Sequence, residues 1–124
     1  MAIQESGEMY LETILRLSQR SAHVRSIDIS EEMGYTKPSV SRAMSVLKRD
    51  GYIVMDGDSY ISLTDAGREI AEKIYSRHQV LSKMLVSLGV DPDTAAADAC
   101  KMEHAISDES FLAIKRYTAE LIQE

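Results

Sequence analysis

A lone cysteine, Cys100, leaves no internal disulfide to hold this fold together. Such a chain suits a reducing compartment, and the expected location is the cytoplasm. No apolar run approaches the roughly 20 residues that a bilayer-crossing helix needs, so no membrane span is expected. The opening residues, MAIQESGEMY, lack the charged-then-apolar layout of a secretory signal. Internal repeats and low-complexity segments are missing as well. With 124 residues, 44% of them hydrophobic, ordinary packing must supply the core, in one domain or in two small ones.

Positive charge is also scarce. Lys and Arg number 14 against 20 Asp and Glu, a net charge of −6. That balance argues at first against a nucleic-acid partner, but its distribution argues the other way. Between Thr36 and Arg49 stand Lys37, Arg42, Lys48 and Arg49 with no acid among them. Local charge, more than the total, sets contact with phosphate.

Residues 8–20, EMYLETILRLSQR, place Tyr10, Ile14 and Leu17 on one stripe with Leu11 and Leu15 beside it, the 3.6-residue period of a helix. Residues 26–34 read as a short helix ended by Gly34. A second helix follows, capped by Thr36, with Pro38 in its first turn, Val40, Met44 and Leu47 facing inward, and Gly51 closing it. The period then changes. Tyr52–Met55 and Tyr60–Leu63 are β-rich runs around Asp56, Gly57, Asp58 and Ser59, a hairpin signal. Thr64 caps a long helix from about Asp65 to Leu88, Asp91-Pro92 starts another, and a last helix is expected from Asp108 to Ile122.

Short helix, tight turn, second helix and hairpin make a winged helix-turn-helix. In that motif the second helix enters the major groove and its N-terminal residues reach base edges. Here that end supplies Thr36, Lys37, Pro38, Ser39, Ser41 and Arg42. Small hydroxyls allow close approach, and the two cations offer phosphate or base contacts. The expected architecture is mainly α, with a winged helix-turn-helix domain over residues 1–64 and a helical domain over 65–124.

The second domain carries the chemistry. In the stretch DACKMEHAIS, Glu103 and His104 follow Cys100 by three and four places, so on a helix all three share one face. A thiol, a carboxylate and an imidazole together can bind a metal, pair as nucleophile and base, or merely pack. Met9 on the first helix and His78 on the long helix are further candidate donors. Packing alone is a poor use of such a polar face. A Cys100–His104 enzyme would satisfy the geometry of covalent catalysis, yet no Gly-rich loop or base-orienting pair accompanies it, and the basic helix would be left without a role. A metal-free regulator with Cys100 as a redox switch is the other alternative; a metal sensor, by contrast, responds under strictly reducing conditions.

From EMYLETI through KPSVSRAMSVLKRDGYIV, LTDAGREIA and RHQVLSKML to ACKMEHAISDE, nearly the whole chain resembles the diphtheria toxin repressor family. The resemblance implies a metal-activated transcriptional repressor: a winged helix, a helical dimerisation domain, and a divalent metal as corepressor for a homodimer on palindromic operator DNA. It also implies residue roles. Met9, Cys100, Glu103 and His104 match the principal metal site of the iron-sensing branch. His78 matches a ligand of the second site in both branches, and Glu12 a ligand of the manganese branch. Ser82 and Ala96 stand where the iron-type second site has a carboxylate and a histidine, so a second site is not expected to be complete. By the same resemblance, the chain is expected to lack the SH3-like domain common in the iron branch, in the manner of the manganese type.

Ligand softness then bears on the metal. Thioether and thiolate favour Fe²⁺, Co²⁺, Ni²⁺ or Zn²⁺ over Mn²⁺, which prefers oxygen and some imidazole. Fe(II) is the first expectation. Mn(II), through Glu12, Glu103, His78 and His104, is the second.

Overall fold

The structure, a computed structural model, describes residues 5–122, with side chains described through residue 120. The elements run α1 (Glu5–Arg20), α2 (Ser26–Met33), α3 (Lys37–Arg49), β1 (Ile53–Met55), β2 (Ile61–Leu63), α4 (Asp65–Ser87), α5 (Pro92–Ala105) and α6 (Asp108–Ile122). The protein is mainly helical with one small sheet, as its periodicity suggests. The chain divides into two compact units, one of residues up to Glu72 and one from Lys73 onward.

In the first unit, α1, α2 and α3 pack around Leu11, Ile14, Ile29, Val40, Met44 and Leu47, with Ile53 and Ile61 closing the core from the hairpin. The inward stripe of α3 is the one its spacing predicts. Gly34 adopts φ +73, a left-handed conformation that costs glycine nothing, and its N–H bonds the Ser30 carbonyl to end α2. Thr36 then caps α3 by accepting from the Ser39 N–H. This places a tight turn between two helices, the geometry of a helix-turn-helix.

β1 and β2 pair antiparallel, with Ile53 opposite Leu63, Val54 opposite Ser62 and Met55 opposite Ile61. Asp56 organises the turn, since its Oδ1 accepts from the N–H groups of Asp58 and Tyr60, each at 2.9 Å. The Ile61 N–H also donates to the Val24 carbonyl at 2.7 Å, which anchors the hairpin to the connection between α1 and α2. The two strands are one residue shorter at the start than their β-rich runs, and Tyr52 and Tyr60 fall in the connections. The Tyr52 carbonyl instead accepts the Thr64 N–H at 3.1 Å, closing the wing onto the start of α4.

Gly67 lies where that closure is tightest. A Cβ at this position would stand 2.0 Å from the Tyr52 carbonyl oxygen, and backbone cannot yield as a flexible side chain can. Gly67→Ala is therefore expected to destabilise the first unit by about 1–3 kcal/mol or more, the range for overpacking, despite alanine's better helix propensity. Urea denaturation checks this; an unchanged or raised midpoint would show that the wing relaxes freely away from α4.

In the second unit Ile74, Leu81, Ala95, Ala99 and Phe111 are buried. The α4–α5 connection turns at Gly89, φ +100. Asp91 caps α5 by accepting from the N–H groups of Asp93 and Thr94, with Pro92 in the first turn, where its missing N–H is of no consequence. Among the described residues, no helix is long and apolar enough to cross a membrane.

Candidate metal centre and nucleic-acid interface

The exposed end of α3 carries the DNA-reading candidates. Thr36, Lys37, Pro38, Ser41 and Arg42 are exposed and Ser39 is half-buried. Thr36 Oγ1 donates to Ser39 Oγ at 2.9 Å, and Arg42 Nη2 reaches the same oxygen at 3.5 Å. The hydroxyls are thus partly occupied in shaping the helix start. Arg49 is held by Asp50 at 3.2 Å, whereas Lys37 and Arg42 have no acid partner among the described residues. Two cations outside any ion pair can meet phosphate without first breaking one.

The metal-donor candidates fall on three helices. In the first unit Met9 is half-buried on α1, and Glu12, one turn later, is 5% exposed. In the second unit the centre is Glu103 on α5, with none of its side chain exposed. Its Oε2 lies 3.0 Å from His78 Nδ1 on α4, and its Oε1 lies 3.4 Å from His104 Nε2. The His104 side chain is 1% exposed and that of His78 17%. Cys100 sits one turn before Glu103 on α5, half-buried. His78 and Glu103 are 25 residues apart in sequence, and the packing of α4 on α5 brings them together.

This donor set fits a divalent ion. A carboxylate taken fully out of water is costly unless a cation answers it. Glu103 Oε1 has no hydrogen-bond donor among the described residues and lies 3.4 Å from the His104 imidazole. Carboxylate, imidazole and thiol are the side chains that first-row divalent metals take as ligands. Ser82, half-buried one turn after His78, and Ala96 on α5 offer no carboxylate or imidazole to a second site.

One residue at this centre is absent from the candidates that spacing suggests. Arg77, 6% exposed, is the sequence neighbour of His78. Its Nη1 donates to the carbonyls of Glu103 at 3.1 Å and Ile106 at 2.8 Å, its Nη2 pairs with Asp108, and its guanidinium lies 5.4 Å from the Phe111 ring centre. In sequence it is one of two arginines on α4, and the hint is the acid Asp108 downstream. Lys73, by hydrogen bond and charge, and then Arg77 hold the Asp108 carboxyl below the ordinary carboxylate range. A depressed carboxylate contributes stability above its unfolded pKa of about 3.9 and loses it as pH falls through the lower folded value.

A winged helix-turn-helix in one unit and a buried carboxylate–imidazole centre in the other together define a class, a DNA-binding regulator with a ligand centre of metal-binding type. Comparisons with known proteins agree. Residues 2–60 match the family model "Iron dependent repressor, N-terminal DNA binding domain", and residues 64–121 match "Iron dependent repressor, metal binding and dimerisation domain". The chain is 31% identical to the iron-dependent repressor IdeR of Mycobacterium tuberculosis over 85% of its own length and 46% of that protein. It is 32% identical to the transcriptional regulator MntR of Escherichia coli O6:H1 over 88% of its own length and 70% of that protein. The solved structure of the manganese regulator SloR superposes with a TM-score of 0.81 at 25% identity, covering 96% of this chain and 55% of that one. The chain belongs to the diphtheria toxin repressor family of metal-dependent repressors. That family consists of metal-responsive transcriptional repressors, not enzymes. The chain spans about half the length of the iron-dependent relatives it matches.

Proposed function

We propose that this protein is a metal-activated transcriptional repressor that binds palindromic operator DNA as a homodimer when loaded with Fe(II). The observation that carries this reading is the fully buried carboxylate of Glu103 between the imidazoles of His78 and His104. Met9, Cys100, Glu103 and His104 would hold the ion, with His78 and Glu12 as further donors. Bound there, the ion supplies positive charge to a buried carboxylate and a thiolate. Residues 1–64 read DNA and residues 65–124 bind metal and dimerise, in the cytoplasm. Exposed Leu112 and Tyr117 on α6 are apolar surface available to a second copy.

Lys37 and Arg42 contact DNA backbone or base edges, while Thr36, Pro38, Ser39 and Ser41 allow α3 close approach to the groove. Metal and DNA favour the same conformer, so each tightens the binding of the other. Two-fold symmetry sets half-sites about 10 base pairs apart or a multiple of that. Mn(II) is the second reading, favoured by the buried Glu12 carboxylate, which would make the donor set harder. Zn(II), Co(II) and Ni(II) would also bind in vitro.

Anaerobic DNA binding, titrated separately with Fe²⁺, Mn²⁺ and Zn²⁺, tests the reading. Binding that ignores all three metals would overturn it. Lys37→Ala and Arg42→Ala should each weaken DNA binding, reduce its salt slope by about one unit, and leave metal affinity of the free protein unchanged. If neither change moves affinity or salt dependence, α3 is not the reading helix.

A further inference from the structure

We propose that Arg77 is a positioning residue for the metal centre, fixing the backbone of Glu103 so that Glu103 and His104 stay in register with His78. The inference rests on the metal reading above and adds a residue that no donor chemistry would select.

The geometry is that of a clamp. The Glu103 carbonyl is among the last four of α5, which have no partner within the helix. Arg77 satisfies it and the Ile106 carbonyl just beyond with one nitrogen. A cation at this end also answers the partial negative charge of the helix terminus. The other nitrogen holds Asp108, the first residue of α6, and Lys73 reaches that carboxylate at 3.2 Å. One guanidinium therefore ties α4 to the end of α5 and the start of α6.

Glu103 is gripped twice by consecutive residues of α4. Its carboxylate meets His78 and its carbonyl meets Arg77. If the carbonyl contact is lost, the carboxylate and the adjacent His104 are free to shift relative to His78. Partners one step removed from a metal orient its ligands, and their loss typically lowers affinity about 10–100-fold. A lysine cannot replace the arginine fully, because a single ammonium lacks the planar fork that serves two carbonyls and a carboxylate together.

The test uses Co²⁺, whose visible absorption reports coordination geometry, on the full chain and on Arg77→Met, Arg77→Lys and Asp108→Asn. Thr118→Gly, at a buried position on α6, serves as a stability control. Arg77→Met is expected to lose about 10–100-fold in Co²⁺ affinity with an altered spectrum. Arg77→Lys should recover part of the affinity, and Asp108→Asn should lose less than Arg77→Met. Thr118→Gly should melt earlier yet keep the native spectrum. Wild-type affinity and spectrum in folded Arg77→Met would overturn the proposal, as would an equal loss in Thr118→Gly. If Arg77→Met does not fold, native spectra and affinities in both Arg77→Lys and Asp108→Asn overturn it instead. A wild-type chain that takes up no Co²⁺ would remove the metal centre itself. A wild-type chain that binds, with variants unchanged, would remove only Arg77's part in it.

Discussion

Glu103→Gln is expected to abolish metal-dependent DNA binding without weakening the metal-free fold. The two effects separate because Glu103 is fully buried and its carboxylate lies against the imidazoles of His78 and His104. Glutamine keeps the size of the side chain and can hydrogen-bond to His78, while relieving the protein of a desolvated charge. Replacing a buried ionic group by a neutral one of similar shape is often neutral or stabilising. The metal-free melting temperature should therefore hold or rise. The loaded protein loses much more. A ligand present at 100 times its dissociation constant stabilises the form that binds it by about 2.7 kcal/mol, and that increment should vanish with the carboxylate. Thermal melts with and without Fe²⁺ or Mn²⁺ under anaerobic conditions measure both terms. If the metal increment survives, sensing occurs elsewhere. If the metal-free protein collapses, the Glu103 charge is structural.

The helical order of the chain is legible in its apolar spacing because each helix buries one stripe. Val40, Met44 and Leu47 are the inward face of α3, and the caps at Thr36 and Asp91 are local chemistry that needs no tertiary information. The start of α1 is less legible, because Glu5–Gly7 carry no apolar residue to signal the helix they join. The strands are short for a related reason, since Tyr52 and Tyr60 have β-favouring side chains but serve the turns that attach the wing. At the candidate centre, the spacing of Cys100, Glu103 and His104 announces one polar face. It does not announce that Glu103 would be wholly buried against His78, which depends on how α4 packs on α5. Arg77 is illegible for the same reason, as its partners are two backbone carbonyls and an acid 31 residues away. Backbone acceptors leave no mark in a sequence.

Exchanging the sulfur donors should redirect the response from iron to manganese. Cys100→Glu combined with Met9→Asp turns a thiolate and a thioether into carboxylates at two of the positions proposed to hold the ion. Hard oxygen donors suit Mn²⁺, whereas sulfur favours the later and softer metals. A loss of Fe²⁺ activation with a gain for Mn²⁺ is the expected outcome. The pH dependence should change with it. A thiol has an ordinary pKa of about 8.5 and must lose its proton to bind, so metal uptake by the native protein should weaken as pH falls. Carboxylates are already ionised near neutrality, so the double variant should show a shallower dependence between about pH 6 and 8. Metal-activated DNA binding, measured anaerobically for each protein with each metal at several pH values, supplies the comparison. An unchanged Fe²⁺/Mn²⁺ preference would mean that Met9 and Cys100 do not set selectivity. The harder set of Glu12, His78, Glu103 and His104 would then define the centre, and the assignment of iron would lose its main support.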